Sequence, residues 1–457
     1  MNMSSVKKIG LFACTGVVAG NMMGSGIALL PANLASIGGI AIWGWVISII
    51  GAMSLAYVYA RLATKNPQQG GPIAYAGEIS PAFGFQTGVL YYHANWIGNL
   101  AIGITAVSYL STFFPALNNP IPAGIACIAI VWLFTFINML GGAWVSRLTT
   151  IGLFLVLIPV VLTAVAGWHW FDIATYHANW NTSTTTDSHA IVKSILLCLW
   201  AFVGVESAAV STGMVKNPKR TVPLATMLGT ALAGIIYIAA TQVIAGMFPA
   251  SVMASSGALP ASVMASSGGA PFAISTSTIL GGWAAPLVSA FTAFACLTSL
   301  GSWMMLVGQA GVRAANDGNF PKIYGEMDKN GIPKKGLLLA AVKMTALMIL
   351  ITIMNSSGGK ASDLFGELTG IAVLLTMLPY FYSCVDLIRF EGFNIRNSVS
   401  LICSVLGCAF CFIALMGASS FELSGTFIVS LIILMFYGRK MHQRQNNDSD
   451  NNTAEAL

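Results

Sequence analysis

Charged residues are scarce in this chain, and their scarcity excludes a water-soluble globule. Asp, Glu, Lys and Arg make up 8% of the 457 residues, while 56% are hydrophobic. Soluble domains carry about 25% charged residues. The apolar residues recur in runs of about 20, the length of a helix that spans a bilayer. This composition predicts an all-α protein that crosses a membrane many times, with no soluble domain between the runs.

The sequence also lacks the spacings that carry metal binding or catalysis. Its eight cysteines lie in apolar runs, and the CxxC pair at Cys408 and Cys411 has no histidine nearby. We therefore expect free, buried thiols and no metal site. No HExxH motif, Ser/His/Asp spacing or pair of intramembrane carboxylates is present. We expect neither an enzyme, nor a cofactor, nor a nucleic-acid partner.

Twelve apolar runs, bounded by polar residues or by Gly and Pro, are long enough to span a membrane. The first run is too long for a secretory signal, and no A-x-A cleavage site follows it. The predicted spans are residues 8–34, 39–63, 83–114, 121–142, 146–168, 190–214, 222–247, 272–312, 335–355, 363–388, 397–417 and 421–440.

Lys and Arg collect on one side of these spans. Because twelve is even, both termini lie on the same side, and the loops of that side hold 18 of the 21 basic residues. The opposite loops hold Lys360, and Lys193 and Lys343 fall within spans. Short cytoplasmic loops carry the excess of basic residues in membrane proteins. We therefore predict that both termini are cytoplasmic.

Residues 1–441 are predicted to form one transmembrane domain. The polar segment 442–457 is too hydrophilic to pack and is predicted to be a disordered cytoplasmic tail. The sequence PASVMASSG occurs twice, at 249–257 and at 260–268, in a loop assigned to the external side. A short duplication without charge is most simply a tolerated loop insertion.

The first and sixth spans carry residues that interrupt a membrane helix. The first contains Asn21 and the segment 24–26 (Gly-Ser-Gly), and the sixth contains Gly204 and Glu206. Interruptions at equivalent points of two halves are typical of a transporter's substrate site. Unwound backbone and the start of the following half-helix can hold an amino acid's carboxylate. The alternative for the first span is a small-residue stripe for helix packing, formed by glycines 16, 20 and 24.

Glu206 places a carboxylate near the middle of an apolar span. Such a residue costs about 2.5–3.5 kcal/mol on insertion scales, so it should face a cavity, a partner or a bound cation. It is also a candidate proton carrier. The alternative is an ion pair with Lys193 or Lys343, the basic residues within spans.

Aromatic and polar side chains near the interruptions are candidates for the walls of a site. An aromatic face attracts a desolvated ammonium by about 2 kcal/mol, and we favour Trp200, six residues before Glu206, for this role. Anchoring at the membrane interface is the alternative for the other aromatic residues: Trp43, Trp45, Tyr91, Tyr92, Trp96 and Trp303. We expect His93, Asn95 and Asn99 to serve either helix packing or substrate contact. We expect Glu367 and Asp386 to have a structural or gating role.

Six segments resemble the basic amino acid/polyamine antiporters of the amino acid-polyamine-organocation superfamily, and the resemblance covers essentially the whole chain. They are GNMMGSGIALLPANLA (20–35), GGPIAYA (70–76), LYYHANWIGN (90–99), LWAFVGVESAAV (199–210), KNPKRTVP (216–223) and AANDGNFP (314–321). The resemblance implies twelve transmembrane helices, with two inverted five-helix repeats, broken helices 1 and 6, and two C-terminal helices. It also implies a homodimer in the bacterial inner membrane.

The same resemblance implies roles for individual residues. The backbone of 24–26 would take the substrate's carboxylate, Trp200 would lie over its aliphatic chain, and Glu206 would be the proton-sensing group. Departures from the arginine-exchanging members at 93–95 and at Ala372 change the size of the pocket and disfavour arginine. The expected substrate-binding set is Asn21, Met22, Gly24, Ser25, Gly26, Tyr91, Ala94, Asn95, Asn99, Trp200, Val203, Glu206, Trp303 and Thr376.

We therefore expect exchange of external lysine for internal cadaverine by alternating access, in the lipid bilayer. Coupled to a cytoplasmic lysine decarboxylase, which consumes a proton, this exchange would support acid resistance. Proton-coupled polyamine uptake and ornithine/putrescine exchange are the nearest alternatives. A cation channel and a membrane enzyme are rivals from other classes.

Overall fold

The computed structural model describes residues 8–23, 25–68, 70–257, 271–356, 361–420 and 423–438. Within this part of the chain the regular structure is helical, apart from one parallel bridge between Ile9 and Val215. The prediction of an all-α protein is confirmed. The predictions for Gly24, for the second copy of the repeat and for the tail at 442–457 concern residues outside the described part.

The helices follow one another with short connections. In chain order they are α1 (Leu11–Met23), α2 (Ser25–Ala35), α3 (Ala41–Lys65), α4 (Pro72–Ile79), α5 (Pro81–Leu110), α6 (Pro120–Asn138), α7 (Gly142–Ala166), α8 (Ile173–Ala178), α9 (Asp187–Trp200), α10 (Ser207–Val210), α11 (Pro218–Met247), α12 (Ala250–Gly257), α13 (Pro271–Leu280), α14 (Ala284–Asn316), α15 (Lys334–Ser356), α16 (Ala361–Glu391), α17 (Ser398–Met416) and α18 (Leu423–Gly438).

Helices occupy all twelve predicted spans. Eight helices of the described part are each long and apolar enough to cross a membrane: α3, α6, α7, α11, α14, α15, α16 and α17. The prediction of one continuous eighth span is wrong. Residues 272–312 fall in two helices, α13 and α14, because the chain turns at Gly281, whose φ is +99°. A glycine adopts that left-handed backbone without steric cost.

The outward surfaces of the long helices are apolar, as in a protein that faces lipid. Ile125 on α6, Val165 on α7 and Ile235 on α11 are 64%, 70% and 67% exposed. Large exposed apolar surfaces of this kind mark contact with another apolar phase. The chain is therefore a multi-pass membrane protein. All eight cysteines are free, and six of them are buried.

The glycines of α1 bring it close to α7. A Cβ atom on Gly16 would lie 2.4 Å from Thr150 Oγ1, and one on Gly20 would lie 2.6 Å from Thr149 Cγ2. Gly16 and Gly20 therefore allow close helix packing, which is the alternative given above for the glycines of the first span. The predicted interruption of the first span centres on Gly24, outside the described residues, with helix on both sides of it.

The sixth span is broken, as predicted. Helix α9 ends at Trp200, α10 begins at Ser207, and hydrogen bonds of the i to i+3 type connect the intervening turn. Gly204 in this turn has a φ of +112°. The hydroxyl of Tyr237 donates to the Ala201 carbonyl at 3.2 Å, so a side chain satisfies a carbonyl that the break exposes in the membrane.

The loop between α7 and α9 is fastened to its neighbours by Asn179. Its Nδ2 donates to the carbonyls of Ala245 and Phe248 at 2.8 and 2.9 Å, and its Oδ1 accepts from the N–H of Ala250 at 3.0 Å. The Asn179 carbonyl also accepts from the N–H of Gly39 at 2.8 Å. One asparagine thus joins this loop to the end of α11, the start of α12 and the turn before α3.

Candidate functional site

A small cavity lies beside the break in the sixth span. Its volume is about 30 Å³, which is room for roughly one water molecule. The first span, α5, the break, α14 and α16 all contribute to its wall. The lining residues are Asn21, Met22, Ala94, Asn95, Gly98, Ile102, Trp200, Val203, Trp303, Val373 and Thr376.

Hydrogen bonds join the end of α1 to the break. Asn21 Nδ2 donates to Ser207 Oγ at 2.8 Å, and Ser207 Oγ donates to the Gly204 carbonyl at 2.5 Å. A Cβ atom on Gly204 would lie 3.1 Å from Trp303 and 3.2 Å from the Asn21 Cβ. Because the left-handed backbone and the close approach coincide, this position requires glycine.

Two tryptophans form much of the apolar wall. Trp303 is 5% exposed, and its indole N–H donates to the Asn21 carbonyl at 3.3 Å. Trp200, at the last position of α9, is half-buried. An alkyl chain can pack between such rings, and their faces attract an ammonium group.

Glu206 is fully buried and is held by uncharged donors. The hydroxyls of Tyr91 and Tyr380 donate to its Oε1 and Oε2 at 2.6 and 2.5 Å. The N–H of Gly204 lies 3.3 Å from Oε2. Among the described residues no basic group lies within 4 Å of this carboxylate. The carboxylate therefore neither faces lipid nor forms the ion pair that was the alternative.

The carboxylate lies next to the cavity rather than in its wall. Glu206, Tyr91 and Asn99 are absent from the lining, although their neighbours Val203, Asn95 and Gly98 belong to it. The hydroxyls of Tyr91 and Tyr380 occupy the hydrogen-bonding positions of this carboxylate in the structure.

Several amide groups beside the cavity have unused hydrogen-bonding capacity. Asn21 Oδ1 and Asn95 Nδ2 are buried and have no protein partner, and both side chains line the cavity. Both polar atoms of the Asn99 side chain are also buried without a partner. Because an unpaired buried polar group is costly, these atoms are suited to bonding a polar ligand.

The structure brings together most of the substrate-binding set expected from the sequence. The cavity wall contains eight of them: Asn21, Met22, Ala94, Asn95, Trp200, Val203, Trp303 and Thr376. Gly24 lies outside the described residues, as do the side chain of Ser25 and the surroundings of Gly26.

Sequence reasoning missed Tyr380 and three lining residues, Gly98, Ile102 and Val373. Helical spacing was a usable signal for the lining residues. Gly98 and Ile102 follow Ala94 by four and eight positions on α5, and Val373 precedes Thr376 by three on α16, so each shares a helix face with an expected residue.

The remaining candidates lie elsewhere. Trp43 is 52% exposed, and Trp45 is buried against Tyr237, with ring centroids 5.4 Å apart. Lys343 does not reach Glu206, because its Nζ lies over the ring of Tyr92 at 4.7 Å.

Two further candidates have local partners. His93 Nδ1 bonds the Val89 carbonyl at 2.9 Å, and Asp386 Oδ1 accepts from Arg389 at 2.9 Å. Both are structural contacts. The side chain of Glu367 lies outside the described residues.

Comparison with known proteins agrees with this architecture. Residues 9–437 match the model of a family described as amino acid permease. A cadaverine/lysine antiporter of Escherichia coli K12 is 88% identical over 452 residues, 99% of each chain. The putrescine transporter PotE of the same strain is 31% identical over 392 residues, 85% of each chain. A manganese transporter from Eremococcus coleocola shares the fold, with a TM-score of 0.61, 15% identity and coverage of 93% of this chain and 92% of that one.

Proposed function

We propose that this chain, which belongs to the amino acid permease family, is an antiporter that exchanges external lysine for internal cadaverine by alternating access, and is not an enzyme. The observation that carries the proposal is the fully buried Glu206 carboxylate at a helix break, beside a cavity with tryptophan walls. The name of the relative that is 88% identical supports the choice of substrates.

Lysine and cadaverine share an alkyl chain that ends in an ammonium group. In the proposed complex Trp200 and Trp303 flank this chain, and Asn21 and Asn95 offer polar contacts. Glu206 holds the ammonium after the hydroxyls of Tyr91 and Tyr380 release it, and it is the proton-sensing group. Only the amino acid also carries a carboxylate, for which the backbone of 24–26 is the proposed site.

The cavity must widen to admit either substrate, since about 30 Å³ holds little more than one water molecule. Its wall comes from separate helices, α1, α5, α14 and α16, and from the break in the sixth span. Movement of these elements relative to one another is the proposed opening step. Outward and inward openings would then alternate around one site.

The exchange is electrogenic, because lysine enters with one positive charge and cadaverine leaves with two. Each cycle exports one charge, which costs about 2.3 kcal/mol against 100 mV, inside negative. Combined gradients of about fiftyfold offset this cost. A cytoplasmic lysine decarboxylase, which consumes a proton and turns lysine into cadaverine, would maintain both gradients and so support acid resistance.

The cellular setting belongs to the same proposal. The excess of basic residues in one set of loops supports cytoplasmic termini, and a bacterial inner membrane and a homodimer are what the family resemblance implies. In that membrane the protein would import lysine from an acid exterior.

Counterflow in proteoliposomes tests the proposed function. Vesicles loaded with cadaverine should take up labelled lysine, while empty vesicles should not. Equal uptake into both would refute obligatory exchange. Vesicles loaded with putrescine and offered ornithine test the ornithine/putrescine alternative, and faster exchange of that pair would reassign the substrates. The PotE relative is named a putrescine transporter.

A further inference from the structure

One face of the protein, on the side of the chain's N-terminus, carries basic residues without acidic partners. It lies at the starts of α1, α7 and α11, and consists of Lys8, Arg147, Lys216, Lys219 and Arg220; we call it the basic face. All five are exposed. No ion pair is formed by any of the five with a described residue.

Backbone pairing holds these residues near one another. The N–H of Ile9 donates to the Met214 carbonyl at 2.9 Å, and the N–H of Lys216 donates to the Ile9 carbonyl at 2.8 Å. This places Lys8 beside the segment that leads from the broken sixth span into α11. The start of α7 touches the same segment, since a Cβ atom on Gly142 would lie 1.9 Å from the end of the Met214 side chain.

The basic face differs from the other loops on the same side. There, five of the nine described basic residues pair with carboxylates, whereas none of the five in the basic face does. The pairs are Arg61 with Glu391, Arg313 with Asp317, Lys334 with Asp328, Lys335 with Glu326, and Arg389 with Asp386. The sequence holds no Asp or Glu in 1–77, 79–171 or 207–316. The general bias of Lys and Arg toward one side does not account for this lack of acidic partners.

Apolar side chains continue from the basic face into the lipid-facing surface. Phe12 on α1 is 70% exposed and Leu224 on α11 is 40% exposed. Each follows a member of the basic face, Lys8 or Arg220, by four positions along the chain. Basic groups at the headgroup level above apolar groups at the acyl level match the two parts of a phospholipid.

The start of α11 adds to the attraction for an anion. Lys219 and Arg220 lie in the first turn of this 30-residue helix, where the helix dipole disfavours positive side chains. A phosphate in front of these residues would interact favourably with both the dipole and the side chains.

We propose that the basic face binds the headgroup of an anionic phospholipid in the surrounding leaflet. The lipid phosphate bridges the segment before α1 and the segment after the broken sixth span. It thereby ties together the first and sixth spans, which meet at the cavity. The zwitterionic phospholipids of the membrane lack the net negative charge that this face requires.

Lipid binding to the purified full-length protein tests this proposal without any transport measurement, so its outcome is separate from that of the proposed exchange. Native mass spectrometry measures how much phosphatidylglycerol and phosphatidylcholine the protein retains. The Tm measures how far each lipid stabilises it. The test variant combines Lys216→Gln, Lys219→Gln and Arg220→Gln. The matched control removes three exposed basic residues of the same side, with Lys322→Gln, Lys329→Gln and Arg396→Gln.

The wild type should bind phosphatidylglycerol in preference to phosphatidylcholine, and high salt should abolish the preference. Each basic residue near an anionic lipid contributes about fivefold in affinity, so the test variant should bind about a hundredfold more weakly. The control should stay within about threefold of the wild type. Equal binding of the two lipids by the wild type, or equal losses in both variants, would overturn the proposal. The salt titration needs no variant and decides the matter if the test variant does not fold.

Discussion

The carboxyl group of Glu206 is surrounded by uncharged hydrogen-bond donors and not by a basic side chain. Tyr91 and Tyr380 satisfy both carboxylate oxygens without neutralising the charge. A buried carboxylate paired with Lys or Arg would instead be committed to its partner. In the proposed complex, the ammonium of the substrate replaces one of these tyrosine hydroxyls.

Glu206→Gln should abolish cadaverine export or its dependence on pH, because the amide keeps the shape of the side chain but not its charge. We expect a loss of at least tenfold in the rate of counterflow, as for other charge-assisted contacts worth about 1.5–3 kcal/mol. Lysine–cadaverine counterflow in proteoliposomes across a pH series measures both the loss of rate and the pH dependence. Tyr380→Phe is the matched control, since it removes one hydrogen bond and leaves the carboxylate. Normal rates and a normal pH profile for Glu206→Gln would make this residue a structural carboxylate.

Gly204 and Gly98 permit a comparison of two glycines at one cavity. Gly204→Ala should destabilise the protein by about 1–3 kcal/mol, because its φ is +112° and the new Cβ atom would lie 3.1 Å from Trp303. Gly98→Ala should leave stability unchanged, since its Cβ atom would meet Trp200 at 3.8 Å, an ordinary contact. The Tm of the two purified variants measures the difference, and equal Tm values would contradict the requirement for glycine at 204.

Polar residues of the site could be predicted from the sequence, but their partners from distant parts of the chain could not. The polarity of Asn21 and Asn95 in apolar spans is visible in the sequence, and both line the cavity. Tyr380 is separated from Glu206 by 174 residues, and one tyrosine among twelve gives no sign of such a contact.

Among the elements, the break between α9 and α10 does the most to shape the site. Apolar runs predict where helices lie, and a carboxylate beside glycine predicted this break. The same runs did not reveal the turn at Gly281, because residues 281–283 (Gly-Gly-Trp) do not interrupt the hydropathy. Helices α4 and α12 were not predicted either, since neither has the length of a membrane span.

Asn179 allows a test of how the loop before α9 is held. Asn179→Ala should destabilise the protein by about 1–3 kcal/mol, because it leaves the hydrogen-bonding groups of Ala245, Phe248 and Ala250 without their partner. The Tm and the protease sensitivity of this loop measure the loss. Asn119→Ala is the control, since Asn119 is exposed and makes one 3.3 Å bond to Ala116. A Tm as high as that of the control would show that Asn179 does not fasten the loop.

For the whole molecule, the net charge moved in each transport cycle distinguishes simple lysine–cadaverine exchange from exchange that also moves a proton. With a potassium diffusion potential imposed on proteoliposomes, an inside-negative potential should oppose exchange of external lysine for internal cadaverine. The distribution ratio should shift about fiftyfold per 100 mV. Lysine–lysine exchange moves no net charge and should not respond. An unaffected lysine–cadaverine exchange would mean that a proton moves with the substrates and compensates the charge.

The small cavity described above also bears on what the molecule must prevent. Protons cross membranes readily along continuous files of water, and a protein that works beside an acid medium would dissipate the cell's proton gradient if such a file formed through it. A space of about 30 Å³, with Asn21, Asn95 and Thr376 in its wall beside the indole and aliphatic groups, leaves little room for such a file. A site that must widen to admit a substrate would therefore also limit the leakage of protons when no substrate is bound.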